Sequence, residues 1–183
     1  MNNFRYFSIF FLFVSQLIYS SVYAENAVSR DPYKFFFNET WNDFKEELVT
    51  AKSEGKKGIL IFFEMDDCPF CHYMKSNVLN QPDVQEYFRK NFLNFSVDIE
   101  GDIEVFNMQG TKMKQKDFAF KENRVRATPV IAFFDLEGKK VHRHTGKTSG
   151  KEEFLWMGEY IVNKTYKEMS FTKYKRSKRN TIK

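Results

Sequence analysis

The sequence predicts an α/β fold in which a central mixed β-sheet is flanked by helices, and three observations support this prediction. A short, unbroken apolar run at residues 58–64 has the length and the β-branched and aromatic content of a buried strand, and residues 93–99 are predicted to form a second strand. A segment with helical periodicity separates them, so we expect a parallel pair joined by a right-handed crossover. Two further strands, at residues 129–135 and 139–145, are joined by a hairpin-like turn and add antiparallel pairing.

The first helix is predicted ahead of the first strand. Trp41, Phe44, Leu48 and Ala51 recur at helical spacing behind a segment that resembles a capping box, residues 40–43. The glycine-rich stretch that follows ends this helix, and the first strand begins directly after it.

The remaining helices follow from similar signals, and the predicted order is α-β-α-β-α-β-β-α. One is expected at residues 73–79, kinked or restarted near Pro82, and another at residues 117–123. A second capping box at residues 149–152 begins the last helix. The link at residues 100–106 exceeds common loop lengths, which leaves an added hairpin, a recognition loop or a simple insertion open.

The N-terminal residues have the features of a secretory signal peptide. Arg5 supplies a positive start, and the mainly apolar stretch at residues 7–18 is shorter than the roughly 20 residues that span a bilayer. Residues 22–24 resemble an A-x-A signal peptidase site and predict cleavage after Ala24, with a retained membrane anchor as the alternative.

The rest of the chain has the length of one domain with a substantial core. We expect residues 25–39 to be an N-terminal extension, residues 40–165 the folded domain and residues 166–183 a basic tail. The net charge of +5 is concentrated near the C-terminus, because residues 164–183 hold eight basic residues and one glutamate. We expect a solvated, disordered tail, with contact to an anionic membrane or an acidic partner as the alternative. Nucleic acid is not an expected partner of an exported chain.

Two cysteines, Cys68 and Cys71, follow the first predicted strand directly. A single pair three residues apart cannot be a disulfide framework that holds a small fold together. At the start of a helix, free N–H groups and the helix dipole favour a Cys68 thiolate, while Cys71, one turn later, is placed to resolve a mixed disulfide. Asp66 and Asp67 oppose the thiolate, so we do not expect a strongly acidic cysteine.

Zinc binding and haem attachment are the alternative uses of this pair. Zinc would need two more ligands, and the chain offers only His72, His142 and His144. The Cys-x-x-Cys-His order is also the attachment pattern of c-type haem, which suits an exported chain. The position of the pair between a buried strand and a helix favours thiol–disulfide exchange over both. We expect His72 to be an exposed helix residue, unless its charge tunes the potential of the pair, and His142 and His144 to be surface residues.

Three segments together resemble the thioredoxin superfamily, over residues 41–162. They are the apolar strand at residues 59–63, the Cys68-Pro69-Phe70-Cys71 motif, and Ala127-Thr128-Pro129-Val130 about sixty residues later. The chain also resembles a narrower group, the small periplasmic thioredoxin-related proteins, including those that accompany sulfur-oxidation systems. This resemblance rests on three features: the first strand followed by glutamate and the Cys-Pro-aromatic-Cys motif, the end of the second strand at residues 97–99, and the Gly-Lys turn at residues 138–139.

The resemblance implies a thioredoxin-like domain and assigns roles to individual residues. Thr128-Pro129 would be the cis-proline loop that faces the cysteines, with the Thr128 backbone pairing to an extended substrate. Pro69 and Phe70 would contact that substrate. Thioredoxins carry a buried aspartate six residues before the first cysteine, and here that position is Phe62.

Glu64 lies two residues further along the first strand, hence on the same face as Phe62. It is the candidate base in place of the missing aspartate, and a solvated carboxylate at the end of the strand is the alternative.

The implied function is that of a monomeric thiol–disulfide oxidoreductase of the periplasm. It would need neither an organic cofactor nor a metal, act on protein thiols and disulfides, and exchange electrons with a membrane thiol–disulfide partner. We favour a reductase. A disulfide oxidase or isomerase, and a non-catalytic binding module of thioredoxin fold, are the alternatives.

Overall fold

The computed structural model describes residues 28–181. The predicted signal peptide, residues 1–24, lies outside the described residues. Between residues 28 and 181, no helix is both long enough and apolar enough to cross a membrane.

Within residues 28–181, six strands form a four-stranded sheet and a separate two-stranded hairpin. The strands are β1 (Gly58–Glu64), β2 (Phe92–Asp98), β3 (Glu104–Phe106), β4 (Lys112–Lys114), β5 (Val130–Phe134) and β6 (Lys140–Thr145). The main sheet has the order β2-β1-β5-β6, with β1 and β2 parallel and the other two pairs antiparallel. The predicted mixed sheet is therefore confirmed, with strand bounds within about one residue of those expected.

Helices cover both faces of this sheet. They are α1 (Pro32–Phe35), α2 (Phe44–Ser53), α3 (Pro69–Asn77), α4 (Pro82–Asn91), α5 (Gln115–Asp117), which continues as a π-helical turn over Phe118–Glu122, α6 (Lys151–Val162), a 3-10 turn over Thr165–Lys167, and α7 (Phe171–Thr181). The predicted break near Pro82 is confirmed, because α3 and α4 are separate helices and Pro82 opens the second.

The core has two layers, one on each face of β1, because successive side chains of a strand point to opposite faces. Leu60 and Phe62 join the cluster that α3, α4 and α6 cover, which includes both cysteines. Ile61 and Phe63 join the cluster beneath α2 and the π-helical turn. All seven residues of β1 are buried, as the unbroken apolar run predicts.

Helix α2 is capped by a later residue than the capping-box pattern at residues 40–43 predicts. Asp43, not Thr40, caps α2, accepting hydrogen bonds from the backbone N–H groups of Lys45 and Glu46 at 3.1 Å. Asn42 has a left-handed φ of 62°, which turns the chain just before the helix. Trp41 therefore lies before the helix and is 97% exposed, so its predicted place on the helical face with Phe44, Leu48 and Ala51 is wrong.

The long link after β2 contains an added hairpin, one of the outcomes left open by the sequence. Strands β3 and β4 pair antiparallel, and the Asn107 side chain stabilises their turn by accepting hydrogen bonds from the backbone of Gln109 and Thr111. Gly110 takes a φ of +82° in this turn, which a residue with a side chain rarely adopts.

The expectation of a disordered tail is wrong for residues 171–181, which form α7. Phe171 is buried and lies with its ring 5.4 Å from those of His142 and Tyr160, and Lys175 forms an ion pair with Glu153 at 2.6 Å. The basic charge is thus matched by acids of α6 instead of being fully solvated. The prediction that His142 and His144 are surface residues is also wrong, because α7 covers the side of β6 from which they project.

Candidate functional site

The cysteine pair lies where β1 passes into α3. Cys68 and Cys71 form a disulfide, with their Cα atoms 5.2 Å apart. Cys68 is the N-cap residue of α3 and Pro69 occupies its first turn, where the missing N–H group and fixed φ of proline suit a helix start. The strand, the cap and the proline together fix the pair at the edge of the sheet where β1 ends.

The environment of Cys68 favours negative charge on its sulfur. The backbone N–H of Cys71 donates a hydrogen bond to Cys68 Sγ, with a nitrogen–sulfur distance of 3.0 Å. The sulfur also lies at the positive end of the helix dipole. Asp66 and Asp67 are both exposed, so water weakens their repulsion of a thiolate. Cys71 is 1% exposed, which suits a resolving thiol that a substrate does not reach first.

The Thr128–Pro129 bond is cis, as the resemblance implied. The backbone N–H of Gly146 donates to the carbonyl oxygen of Pro129 at 2.8 Å, and the N–H of Thr148 donates to Met74 Sδ on the cysteine helix at 3.4 Å. The loop at residues 146–148 therefore links the cis-proline segment to α3. Thr128 is half-buried and lies just before β5, whose Val130 pairs with Phe63 near the end of β1 that leads to the cysteines.

An accessible surface surrounds the buried cysteines. Pro69 is exposed, and Phe70 is 53% exposed between the two cysteines. Tyr73, on the next turn of α3, has Lys147 Nζ 4.1 Å from its ring centroid. Such a surface of aromatic rings with one cation can contact an extended peptide.

Glu64 is buried and paired, so the alternative of a solvated carboxylate at the end of the strand is wrong. It is 7% exposed, and its Oε2 lies 2.6 Å from Lys75 Nζ. Its Oε1 accepts hydrogen bonds from Ser96 Oγ and, at 3.3 Å, from Tyr33 Oη. Lys75 Nζ also donates to Tyr33 Oη at 2.8 Å. Burial lowers the pKa of Lys75, but the hydrogen bonds and charge interactions with Glu64 and Tyr33 together outweigh it, so the pKa is raised.

Glu64 has three partners that were not predicted from the sequence, namely Lys75, Ser96 and Tyr33. Lys75 could have been found, because it lies four residues after Cys71 and hence on the same side of the helix. Ser96 pairs with Phe62 in the parallel register of β1 and β2, which only the structure fixes. Tyr33 belongs to a segment predicted only as an extension, and no local pattern points from it to Glu64.

The histidines are dispersed around the fold. His72 is exposed on α3, as expected, whereas His142 and His144 lie on β6 beneath α7. No group of three or more His, Cys, Asp or Glu side chains within residues 28–181 is arranged to hold a metal ion.

Comparisons with known proteins agree with this geometry. A family model described as a thioredoxin-like domain matches residues 44–161. A relative from Chlamydia pneumoniae, named disulfide bond reductase DsbH, is 28% identical over 107 residues. That match covers 58% of this chain and 62% of the relative, so the chain aligns with less than two thirds of that protein.

Solved structures show the same fold. A thioredoxin-fold protein from Helicobacter pylori has a TM-score of 0.58 at 22% identity, covering 69% of this chain and 87% of its own. A DsbH oxidoreductase has a TM-score of 0.52 at 20% identity, covering 71% and 88%. A thioredoxin from Thermus thermophilus has a TM-score of 0.53 at 22% identity, covering 70% and 88%.

Proposed function

Because the chain belongs to the thioredoxin-like domain family, we propose that it is an exported thiol–disulfide oxidoreductase that reduces disulfides of protein substrates with Cys68 and Cys71. The observation that carries this proposal is the hydrogen bond from the Cys71 N–H to Cys68 Sγ at the start of α3. It supports Cys68 as the attacking cysteine, because an N–H donor and a helix end stabilise negative charge on its sulfur.

The reaction starts from the reduced form of the pair. The Cys68 thiolate attacks one sulfur of a substrate disulfide, forming a mixed disulfide and releasing the other substrate sulfur as a thiolate. Cys71 then loses its proton and attacks Cys68 Sγ, which releases the second substrate thiolate and forms the Cys68–Cys71 disulfide. Two electrons have moved to the substrate, and an external dithiol must reduce the pair again.

Glu64 is the residue we propose to accept the Cys71 proton. It shares a face of β1 with Phe62, and Phe62 belongs to the same core cluster as Cys71. Lys75, the ion-pair partner of Glu64, lies one helical turn after Cys71. The backbone of Thr128, with Pro129, Pro69 and Phe70 beside it, would hold the substrate segment in an extended form.

Two features support a reductase over an oxidase. The relative from Chlamydia pneumoniae bears the name of a disulfide bond reductase. Asp66 and Asp67 also repel a Cys68 thiolate, and although their exposure to water weakens this repulsion, it opposes the stabilised reduced form on which a strong oxidant depends. We propose that the protein works as a monomer in the periplasm, and that a membrane thiol–disulfide protein supplies its electrons.

The redox potential and insulin reduction test this proposal. The mature protein is equilibrated with glutathione or dithiothreitol buffers, and its catalysis of insulin reduction is followed by turbidity. We expect a potential near −270 mV, the value typical of a reductant, and clear catalysis of insulin precipitation. A potential near −120 mV would assign the protein to the oxidases.

Cysteine variants provide the controls. Cys71→Ser should accumulate a mixed disulfide through Cys68, whereas Cys68→Ser should form none. If Cys68→Ser kept full activity, thiol exchange at this pair would be ruled out, and the binding-module alternative would take its place.

A further inference from the structure

A second concave site lies at the end of the sheet opposite the cysteines. It is a cavity of about 710 Å³, lined by the segment before β1, the turn between β5 and β6, the end of α6 and the 3-10 turn. Since β1 runs seven residues from this end to the cysteine end, about 20 Å separate the two sites. The volume falls within the range of small-molecule sites, roughly 300–1,000 Å³.

The rim of this cavity is strongly basic. Six lysines line it, against two acids, Asp135 and Glu137. Asp135 already accepts hydrogen bonds from two backbone N–H groups of its own turn.

Five of the six lysines form no ion pair with any carboxylate of residues 28–181, namely Lys57, Lys139, Lys140, Lys164 and Lys167, although Lys140 donates a hydrogen bond to Asn123 Oδ1. They come from three separate parts of the chain and converge only in the fold. Like charges gathered around a concave, low-dielectric wall focus a positive potential, which an anion would relieve.

The floor of the cavity is apolar. Leu136, Val141, Ile161 and Val162 line it together with the ring of Tyr166. Burial and the nearby acids Asp135 and Glu137 raise the pKa of Tyr166, so its ring stays neutral at physiological pH. A ligand that fits both parts of the site carries negative charge at the rim and an apolar group at the floor.

We propose that this cavity binds a phosphate ester joined to an apolar group, with the phosphate held by the unpaired lysines and the apolar group against Tyr166. Lysine binds phosphate as a mobile point charge and needs no fixed planar geometry, which suits a rim of flexible side chains. Either a soluble ester or a phospholipid headgroup would supply this chemistry. The proposal does not depend on the redox function.

Calorimetry and vesicle sedimentation distinguish the two sources. The soluble probe is 1-naphthyl phosphate, compared with inorganic phosphate and 1-naphthol, and the membrane probe is a vesicle of phosphatidylglycerol, compared with phosphatidylcholine. We expect either 1-naphthyl phosphate to bind more tightly than both of its halves, or the anionic vesicles alone to retain the protein. In both cases binding should weaken as salt is added.

A charge-matched pair of variants tests the site. The double variant Lys139→Gln, Lys167→Gln removes two exposed rim charges, and we expect at least about a tenfold loss of affinity for the bound probe. The control Lys34→Gln, Lys45→Gln removes two exposed charges elsewhere and should retain binding. Both should reduce insulin at the wild-type rate. The absence of binding by both probes, or equal losses in the two variants, would overturn the proposal.

Discussion

Glu64 and the cysteines are held by different kinds of contact. Cys68 is held by backbone features, namely the helix start and the Cys71 N–H group, and these tolerate many sequences. Glu64 is held by three side chains, Lys75, Ser96 and Tyr33, which come from three separate elements. We propose Glu64 for proton transfer because its carboxylate is shielded from bulk water, shares a face of β1 with Phe62, and is ion-paired to Lys75, one helical turn after Cys71.

Replacing Glu64 by Gln is expected to slow the resolving step. Gln keeps the shape of the side chain but cannot take up a proton, so insulin reduction at pH 7 should fall by at least about tenfold. The deficit should shrink as the pH rises toward about 8.5, the ordinary pKa of a thiol, because Cys71 then ionises without help. The measurement is the rate of insulin reduction across this pH range.

Glu54→Gln is the matched control, because Glu54 is an exposed carboxylate at the end of α2. Its pH profile should follow that of the wild type. A Glu64→Gln profile that is parallel to the wild type at every pH would show that Glu64 only supports the local structure.

The sequence predicted those site residues whose role depends on local pattern. Cys68, Cys71 and the cis bond before Pro129 belong to short motifs, and the structure places them as expected. Lys75 and Tyr33 reach Glu64 from 11 and 31 residues away. Contacts of that kind depend on strand register and helix packing, so they could not be derived from local spacing alone.

At the level of elements, α4 and α6 approach closely at a glycine. A Cβ atom on Gly158 would lie 2.7 Å from Tyr87 Cε1 and 2.9 Å from Phe88 Cζ. The rings of Phe88 and Phe154 stack beside it with centroids 4.2 Å apart. The close packing of these two helices therefore depends on the missing side chain.

Gly158→Ala is expected to destabilise the fold by about 1–3 kcal/mol, because the added methyl group displaces packed aromatic rings. The effect should exceed the gain of up to about 1 kcal/mol that alanine brings to a helix interior. Urea unfolding followed by circular dichroism measures it. A variant as stable as the wild type would mean that the helices can separate without cost.

Helix α7 covers two histidines, and this makes its docking depend on pH. His142 lies between Phe133, Tyr160 and Phe171, and its Nε2 is buried without a hydrogen-bond partner in the described part of the chain. Burial, with a smaller effect from His144, lowers the pKa of His142 to about 4. Burial also lowers the pKa of His144, while Glu153 opposes and Lys175 adds to that shift.

We expect the protein to lose stability between pH 6.5 and pH 4. In this window the unfolded chain binds a proton at His142 that the folded chain does not, so the free energy of unfolding falls as the pH falls. The effect is absent above pH 6.5 and complete below pH 4, with an upper limit of about 3 kcal/mol. Thermal unfolding across this range provides the measurement.

His142→Phe is the informative variant, because it keeps an aromatic ring against Tyr160 and Phe171 but cannot be protonated. Its melting temperature should fall less than that of the wild type between pH 6.5 and pH 4. His72→Phe, at an exposed position of α3, should leave the slope unchanged. Equal slopes for the wild type and His142→Phe would contradict the assignment.

The elements that could be predicted are those with a strong internal pattern. The unbroken apolar run of β1 and the helix-breaking Pro82 each specify their element locally. The folding of residues 171–181 into helix α7 could not be predicted from composition, because five basic residues in so short a segment are typical of a solvated tail. What stabilises it is Phe171 against His142 and the acids of α6, which lie more than ten residues away in the chain.

At the scale of the whole molecule, the disulfide contributes to only one of the two core layers. Cys68 and Cys71 lie in the cluster under α3, α4 and α6, and the other cluster has no contribution from them. The bridge closes a loop between residues only three apart, so in the chain-entropy model it stabilises the fold by about 2 kcal/mol. Reduction should therefore leave the fold intact, as a catalyst that cycles between two redox states requires.

Comparing the stability of the two redox forms gives an independent measure of direction. Unfolding of the protein and reduction of the cysteine pair form a closed thermodynamic cycle. The difference in unfolding free energy between the oxidised and reduced forms therefore corresponds to the difference in reduction potential between the folded and the unfolded pair. We expect the oxidised form to be the more stable by about 2 kcal/mol, which lowers the potential of the folded pair by about 40 mV relative to the unfolded one. Guanidinium unfolding of the oxidised protein and of the protein in excess dithiothreitol measures this difference. If the reduced form proved more stable, the stabilised Cys68 thiolate would dominate, and the protein would be driven toward oxidising its substrates.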